Sequence, residues 1–287
     1  MPPSESSAPE RVTFTGHARV TLVADAWGAA DGRGVLLLHG GGQTRHAWGG
    51  TAAALAGAGW RALALDLRGH GESDWAPDAD YTMNTFVADL RAVLAALARP
   101  TVVVGASLGG LIALLTEGEA AGGLLAGLVL VDVGTRIEPA GAGRIRSFML
   151  SRPDGFESLE DAAEAVAAFV PHRQRPPDAS GLARNLRQDA DGRYRWHWDP
   201  RFMTGPRPPA DVVNTPRLEA AARGLRGPTL LVRGRLSDVL SEAGARAFLA
   251  LVPHARYADV SGAGHMVAGD RNDAFTAAVA DFLRTLA

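Results

Sequence analysis

A chain of 287 residues with 29 basic against 31 acidic side chains, a formal net charge of −2 and 47% hydrophobic positions is neither disordered nor supercharged. The near-neutral balance removes the basic footprint that binding to a phosphate backbone needs, so nucleic acid is not an expected partner. With no cysteine, a disulfide frame, a thiolate nucleophile and cysteine-ligated metal sites are excluded, and every basic residue is arginine.

Residues 1–10 are rich in Pro, Ser and Glu and lack the basic and apolar regions of a signal peptide, which predicts a short disordered lead. The longest uncharged stretch, Pro100–Thr116, is broken by Gly105, Gly109 and Gly110. It falls short of the ~18 to 20 apolar residues of a membrane span, so no membrane partner and a cytoplasmic location are expected.

Arg11–Trp27 reads as an antiparallel hairpin. Apolar runs of strand length follow at Gly34–His39, Arg61–Leu67, Thr101–Ala106 and Leu128–Val133. Helical patterns at Arg45–Ala58, Met83–Ala98 and Leu108–Glu117 lie between them. This alternation predicts an α/β fold with a mostly parallel sheet, helices on both faces and right-handed crossovers.

The rhythm breaks between residues 136 and 226, where ten of the 17 prolines fall and no buried parallel strand is readable. Ser158 with Asp161 caps a helix at Ala162–Phe169, and Thr215-Pro216 opens another at Arg217–Leu225, so this stretch is expected to be a helical cap rather than a loop. The pattern then resumes with Pro228–Gly234, Glu242–Leu251, Ala255–Ser261 and Asn272–Leu286. The expected organisation is one core, 11–135 with 227–287, interrupted by the cap.

Gly105-Ala106-Ser107-Leu108-Gly109 fits G-x-S-x-G, a serine on a tight turn between a strand and a helix. A serine hydroxyl is a weak nucleophile at neutral pH and needs a base, which in turn needs an orienting group. His265, in a glycine-rich loop after the last strand pattern, is the best-placed base. The acid is read as Asp238, after the strand Pro228–Gly234, ahead of Asp132 at the end of the preceding strand. Charge developing on a substrate oxygen needs backbone donors. One is expected from Leu108 and the other from His39-Gly40-Gly41-Gly42, with Gly41 preferred to Gly42 and His39 bracing the loop.

Together with Asp66-Leu67-Arg68-Gly69-His70-Gly71-Glu72-Ser73, these motifs resemble those of the α/β-hydrolase superfamily over nearly the whole chain from Arg11. The resemblance implies an eight-stranded core, an inserted cap and cofactor-free Ser-Asp-His chemistry. It implies a structural role for the turn containing Asp66 and His70. No metal is expected. Serine at position 107 argues against the epoxide hydrolases and haloalkane dehalogenases, which resemble this architecture but place aspartate there.

A serine esterase acting on a small, largely apolar molecule through an acyl-enzyme is the most economical reading. Carbon-carbon bond hydrolysis and cofactor-free perhydrolase or haloperoxidase chemistry use the same triad, and a small-ligand receptor or a cofactor-free oxygenase would use the same fold. Trp48, Trp196 and Trp198 are candidates for gripping substrate, although packing uses the same residues and comes first, since most buried aromatics are simply core. The cap arginines Arg144, Arg146, Arg173 and Arg175 read as solvated, and a homodimer is compatible with the composition.

Overall fold

The computed structural model describes residues 8–120, 123–171, 178–209, 214–267 and 272–286. Residues 1–7 of the expected lead lie outside this range, as do Arg173 and Arg175. The chain begins with β1 (Glu10–Thr15) and β2 (Thr21–Trp27), an antiparallel pair. Then come β3 (Arg33–Leu38), α1 (Gly49–Gly57), β4 (Trp60–Leu65), α2 (Met83–Leu97), β5 (Thr101–Ala106), α3 (Leu108–Gly118) and β6 (Gly127–Val131).

The insertion that follows holds α4 (Pro139–Leu150), α5 (Leu159–Phe169), a short hairpin of β7 (Leu186–Gln188) and β8 (Tyr194–Trp196), the single turn α6 (Arg201–Thr204), and α7 (Thr215–Gly224). The core resumes with β9 (Thr229–Gly234), α8 (Glu242–Leu251), β10 (Arg256–Val260) and α9 (Asn272–Arg284).

Eight strands form one sheet in the order β1-β2-β4-β3-β5-β6-β9-β10, parallel from β4 to β10. The alternation of side chains along a strand assigns each apolar residue to a face. Leu36, Leu38, Val103 and Leu130 pack under α2, α3, α7 and α8, whereas Val35, Leu37, Val102, Val104 and Val131 pack under α1 and α9. Covering both faces explains why the central strands read as unbroken apolar runs. Helix α3 is buried along its whole length, so it carries no polar stripe.

In the insertion, the Ser158 side chain accepts from the Asp161 N–H at the start of α5, satisfying one of the unpaired donors of its first turn. Extra helices therefore form the cap, joined by the β7-β8 hairpin. Helix α7, at the far end of the insertion, packs its Leu218, Ala221 and Ala222 into the core; a Cβ on Gly118 of α3 would stand 2.1 Å from the Ala221 carbonyl oxygen.

Candidate active site

Ser107 sits between β5 and α3 at φ 48 and ψ −115, a conformation that side-chain-bearing residues rarely occupy. The turn is held from both sides. A Cβ on Gly105 would stand 2.5 Å from Gly109 and Gly110 backbone atoms, and one on Gly109 would stand 2.6 Å from the Leu38 carbonyl oxygen. The Ser107 N–H donates to the Val131 carbonyl at 3.1 Å, locking the serine to the end of the neighbouring strand β6.

One residue beyond β6, Asp132 also has a positive φ, 51. It is completely buried, yet both carboxylate oxygens are satisfied. The Gly234 N–H donates to Oδ1 at 2.9 Å, while the Ser237 hydroxyl and His265 Nδ1 donate to Oδ2, the latter at 2.7 Å. A carboxylate only accepts, so this bond places the proton on Nδ1 and leaves Nε2 as the basic nitrogen of His265. Among the described residues no hydrogen bond joins Ser107 to His265.

The expectation that Asp238 orients His265 is corrected here. Asp238 is half exposed and turned toward the cap, where its Oδ2 receives Arg144 Nε at 2.7 Å. That bond holds its carboxyl below the ordinary range. Arg144, exposed as expected, also donates to the Phe169 carbonyl at 2.8 Å, so it ties α4 to α5 and to the core. The side chain from the β9 loop that does reach the Asp132 carboxylate is Ser237.

The glycine loop after β3 lies against the elbow, a Cβ on Gly40 falling 3.4 Å from Ser107 Cβ. Its three amides have different fates. The Gly40 N–H donates to Gln43 Oε1 at 2.9 Å and the Gly42 N–H to His70 Nε2 at 3.1 Å. The Gly41 N–H has no hydrogen-bond acceptor among the described residues. Gln43 in turn donates through Nε2 to Met266 Sδ at 3.1 Å, linking this loop to the residue after His265.

Two buried imidazoles support the loop. His39 Nε2 accepts from the Leu67 N–H at 3.0 Å, so its Nδ1 donates to the Gly40 carbonyl at 2.8 Å. His70 Nε2 is taken by Gly42, so its Nδ1 donates to the Arg68 carbonyl at 3.0 Å. Burial lowers His39 to about 4 and His70 to about 3, with Arg45 adding to the first and His39 itself to the second. Both rings are neutral near pH 7.

Trp48, expected at the substrate, is instead 1% exposed and packs on Phe275 of α9 beneath the other face of the sheet. Trp198 is buried against Phe202, and its backbone bridges to His70. Trp196 is half buried between Phe148 and Phe156 in the cap. The cap side chains that approach the glycine loop are others, Met149 over Gly42 and Phe202 over Gly41, at 3.0 and 3.6 Å from the positions a Cβ would take. Their spacing in sequence carries no signal of this, because contact with a loop so far back in the chain is set by how the cap docks.

The "Alpha/beta hydrolase family" model matches residues 35–278. Esterase Rv0045c of Mycobacterium tuberculosis is 35% identical over 179 residues, a match covering 60% of this chain and 58% of the esterase's own length. The 3-hydroxybutyrate-oligomer hydrolase of Cupriavidus necator is 29% identical over 254 residues, covering 83% of this chain and 85% of that protein. Among solved structures, an alpha/beta hydrolase from Novosphingobium aromaticivorans superposes with a TM-score of 0.81 at 28% identity, over 96% of this chain and 98% of that one. The family model matches most of the chain, and the chain belongs to the alpha/beta hydrolase family.

Proposed function

We propose that the chain is a serine hydrolase that cleaves a carboxylic ester of a small, largely apolar molecule. The observation that carries this reading is the bond from His265 Nδ1 to the buried Asp132 carboxylate at 2.7 Å, together with a serine held in a strained turn. Ser107 Oγ attacks the ester carbonyl carbon as its proton passes to His265 Nε2, and Asp132 stabilises the imidazolium and fixes the ring. The N–H groups of Gly41 and Leu108 receive the developing oxyanion. Collapse breaks the bond to the alkoxy oxygen, His265 returns the proton to the departing alcohol, and water repeats the sequence on the acyl-serine to release the acid. The names of the mycobacterial esterase and of the hydroxybutyrate-oligomer hydrolase support ester chemistry, and the apolar Met149 and Phe202 over the loop favour an aliphatic acyl group.

Intact-mass analysis after treatment with a fluorophosphonate tests the reading. A single adduct that maps to Ser107 and is absent from Ser107→Ala is expected, with turnover of short aliphatic esters, 3-hydroxybutyrate esters included, lost in the same variant. A folded native protein that is neither labelled nor active on small esters would overturn it.

A further inference from the structure

We infer that His70 and Gln43 are positioning residues for acyl transfer, two pins that hold the glycine loop so that the Gly41 amide alone is presented to the oxyanion. The inference rests on the hydrolase reading above. Three successive glycines are the freest backbone a chain can make, and left alone they would spread their N–H groups over many directions. Here the outer two are tied off. Gln43 Oε1 takes the Gly40 N–H and His70 Nε2 takes the Gly42 N–H, at 2.9 and 3.1 Å.

Each pin is itself anchored. His70 is buried and held at its far nitrogen by the Arg68 carbonyl, with the Phe202 ring edge-on at 4.9 Å between centroids. Gln43 is held by Met266, next to the base His265. A neutral imidazole offers one rigid acceptor opposite one donor, which is what a position between the Gly42 N–H and the Arg68 carbonyl requires. If His70 merely filled space, a phenyl ring of similar shape would replace it without kinetic consequence.

The test compares steady-state kinetics on p-nitrophenyl butyrate, and inhibition by an aryl boronic acid that forms a tetrahedral adduct on serine, for the native protein, His70→Phe, His70→Gln and Gln43→Leu. Loss of a whole oxyanion donor costs roughly 100-fold to 1,000-fold in kcat, so misplacing one in His70→Phe is expected to cost about 10-fold to 100-fold, with KM changed by less than about threefold. Boronate affinity should fall in parallel. His70→Gln, whose amide oxygen can accept from Gly42, should recover most of the loss. Native kcat in a folded His70→Phe, or equal losses in the Phe and Gln variants, overturns the role of His70. Gln43→Leu should show the same loss in kcat at little changed KM, and native kcat and boronate affinity in this variant overturn the pinning scheme even if His70→Phe fails to fold. A folded native protein that neither turns over the ester nor is labelled by the fluorophosphonate overturns the hydrolase reading, a result distinct from any of these.

Discussion

Two carboxylates follow Ser107 and precede His265 from strand ends, and the structure gives them opposite surroundings. Asp132 is buried with three donors, and Asp238 is half exposed against an arginine. Asp132→Asn should therefore lower kcat by roughly 10⁴-fold, because the amide no longer holds the Nδ1–H tautomer. Asp238→Asn removes an exposed ion pair worth only about 0 to 1 kcal/mol and should leave kcat within about tenfold of native. Ester turnover of the two variants checks both. Ser107 is legible in the sequence because close packing demands the glycines on either side of it, and His265 because it ends a glycine-rich turn in which Gly262 takes a positive φ of 74. The acid is not, since chain order is the same for both aspartates and the choice rests on which one the Gly234 amide and the Ser237 hydroxyl surround. Trp48 misleads for a related reason: it is close to the glycine loop along the chain, but the short turn Arg45–Trp48 carries its ring under the opposite face of the sheet.

At the level of elements, the strands and helices of the core stand within a few residues of where periodicity puts them. The cap was only partly legible. Helix α5 announces itself through Ser158 and Asp161, whereas α4 begins with proline and carries Gly141 and Gly143, residues that disfavour a helix interior. The structure supplies the reason at Gly141, where a Cβ would lie 2.1 Å from the Asp238 carbonyl oxygen. The strands β7 and β8 have three residues each, too few for an alternation to be decisive. The same close approach governs the elbow. Gly105→Ala should force α3 away from β5, since the new methyl would meet backbone at 2.5 Å with no flexible side chain to yield. The expected result is a destabilisation of about 1 to 3 kcal/mol or more in chemical denaturation, with weaker fluorophosphonate labelling of Ser107 in the molecules that remain folded.

Across the molecule, the buried imidazoles tie folding to acidity. His39 and His70 exclude protons down to about 4 and about 3, whereas unfolded histidines take them up near 6.5. The unfolded state therefore binds more protons in that window, so stability is full above pH 6.5 and declines as the pH falls toward 4 and then 3. Arg45 reinforces the shift at His39, while Asp66 and Asp199 oppose it at His70 without overcoming burial. Each such proton contributes a slope of about 1.4 kcal/mol per pH unit. Denaturation midpoints at pH 7, 5.5 and 4.5 should fall in that order, and His70→Gln should remove about one proton from the slope. An unchanged slope in that variant would mean that His70 is not neutral in the folded protein.

The cap is fastened to the same turn that steadies the glycine loop. The Gly71 N–H donates to the His197 carbonyl at 2.6 Å, the Asp199 N–H donates to the Gly69 carbonyl at 2.8 Å, and the Tyr81 hydroxyl donates to Asp199. His70 lies within this seam. An insertion transplanted from a relative to alter substrate preference would have to bring its own version of the 197–202 segment, or the recipient would lose the support beneath its reaction machinery. On the hydrolase reading proposed above, exchanging the cap of this scaffold would alter the surface over the glycine loop and the support beneath that loop together.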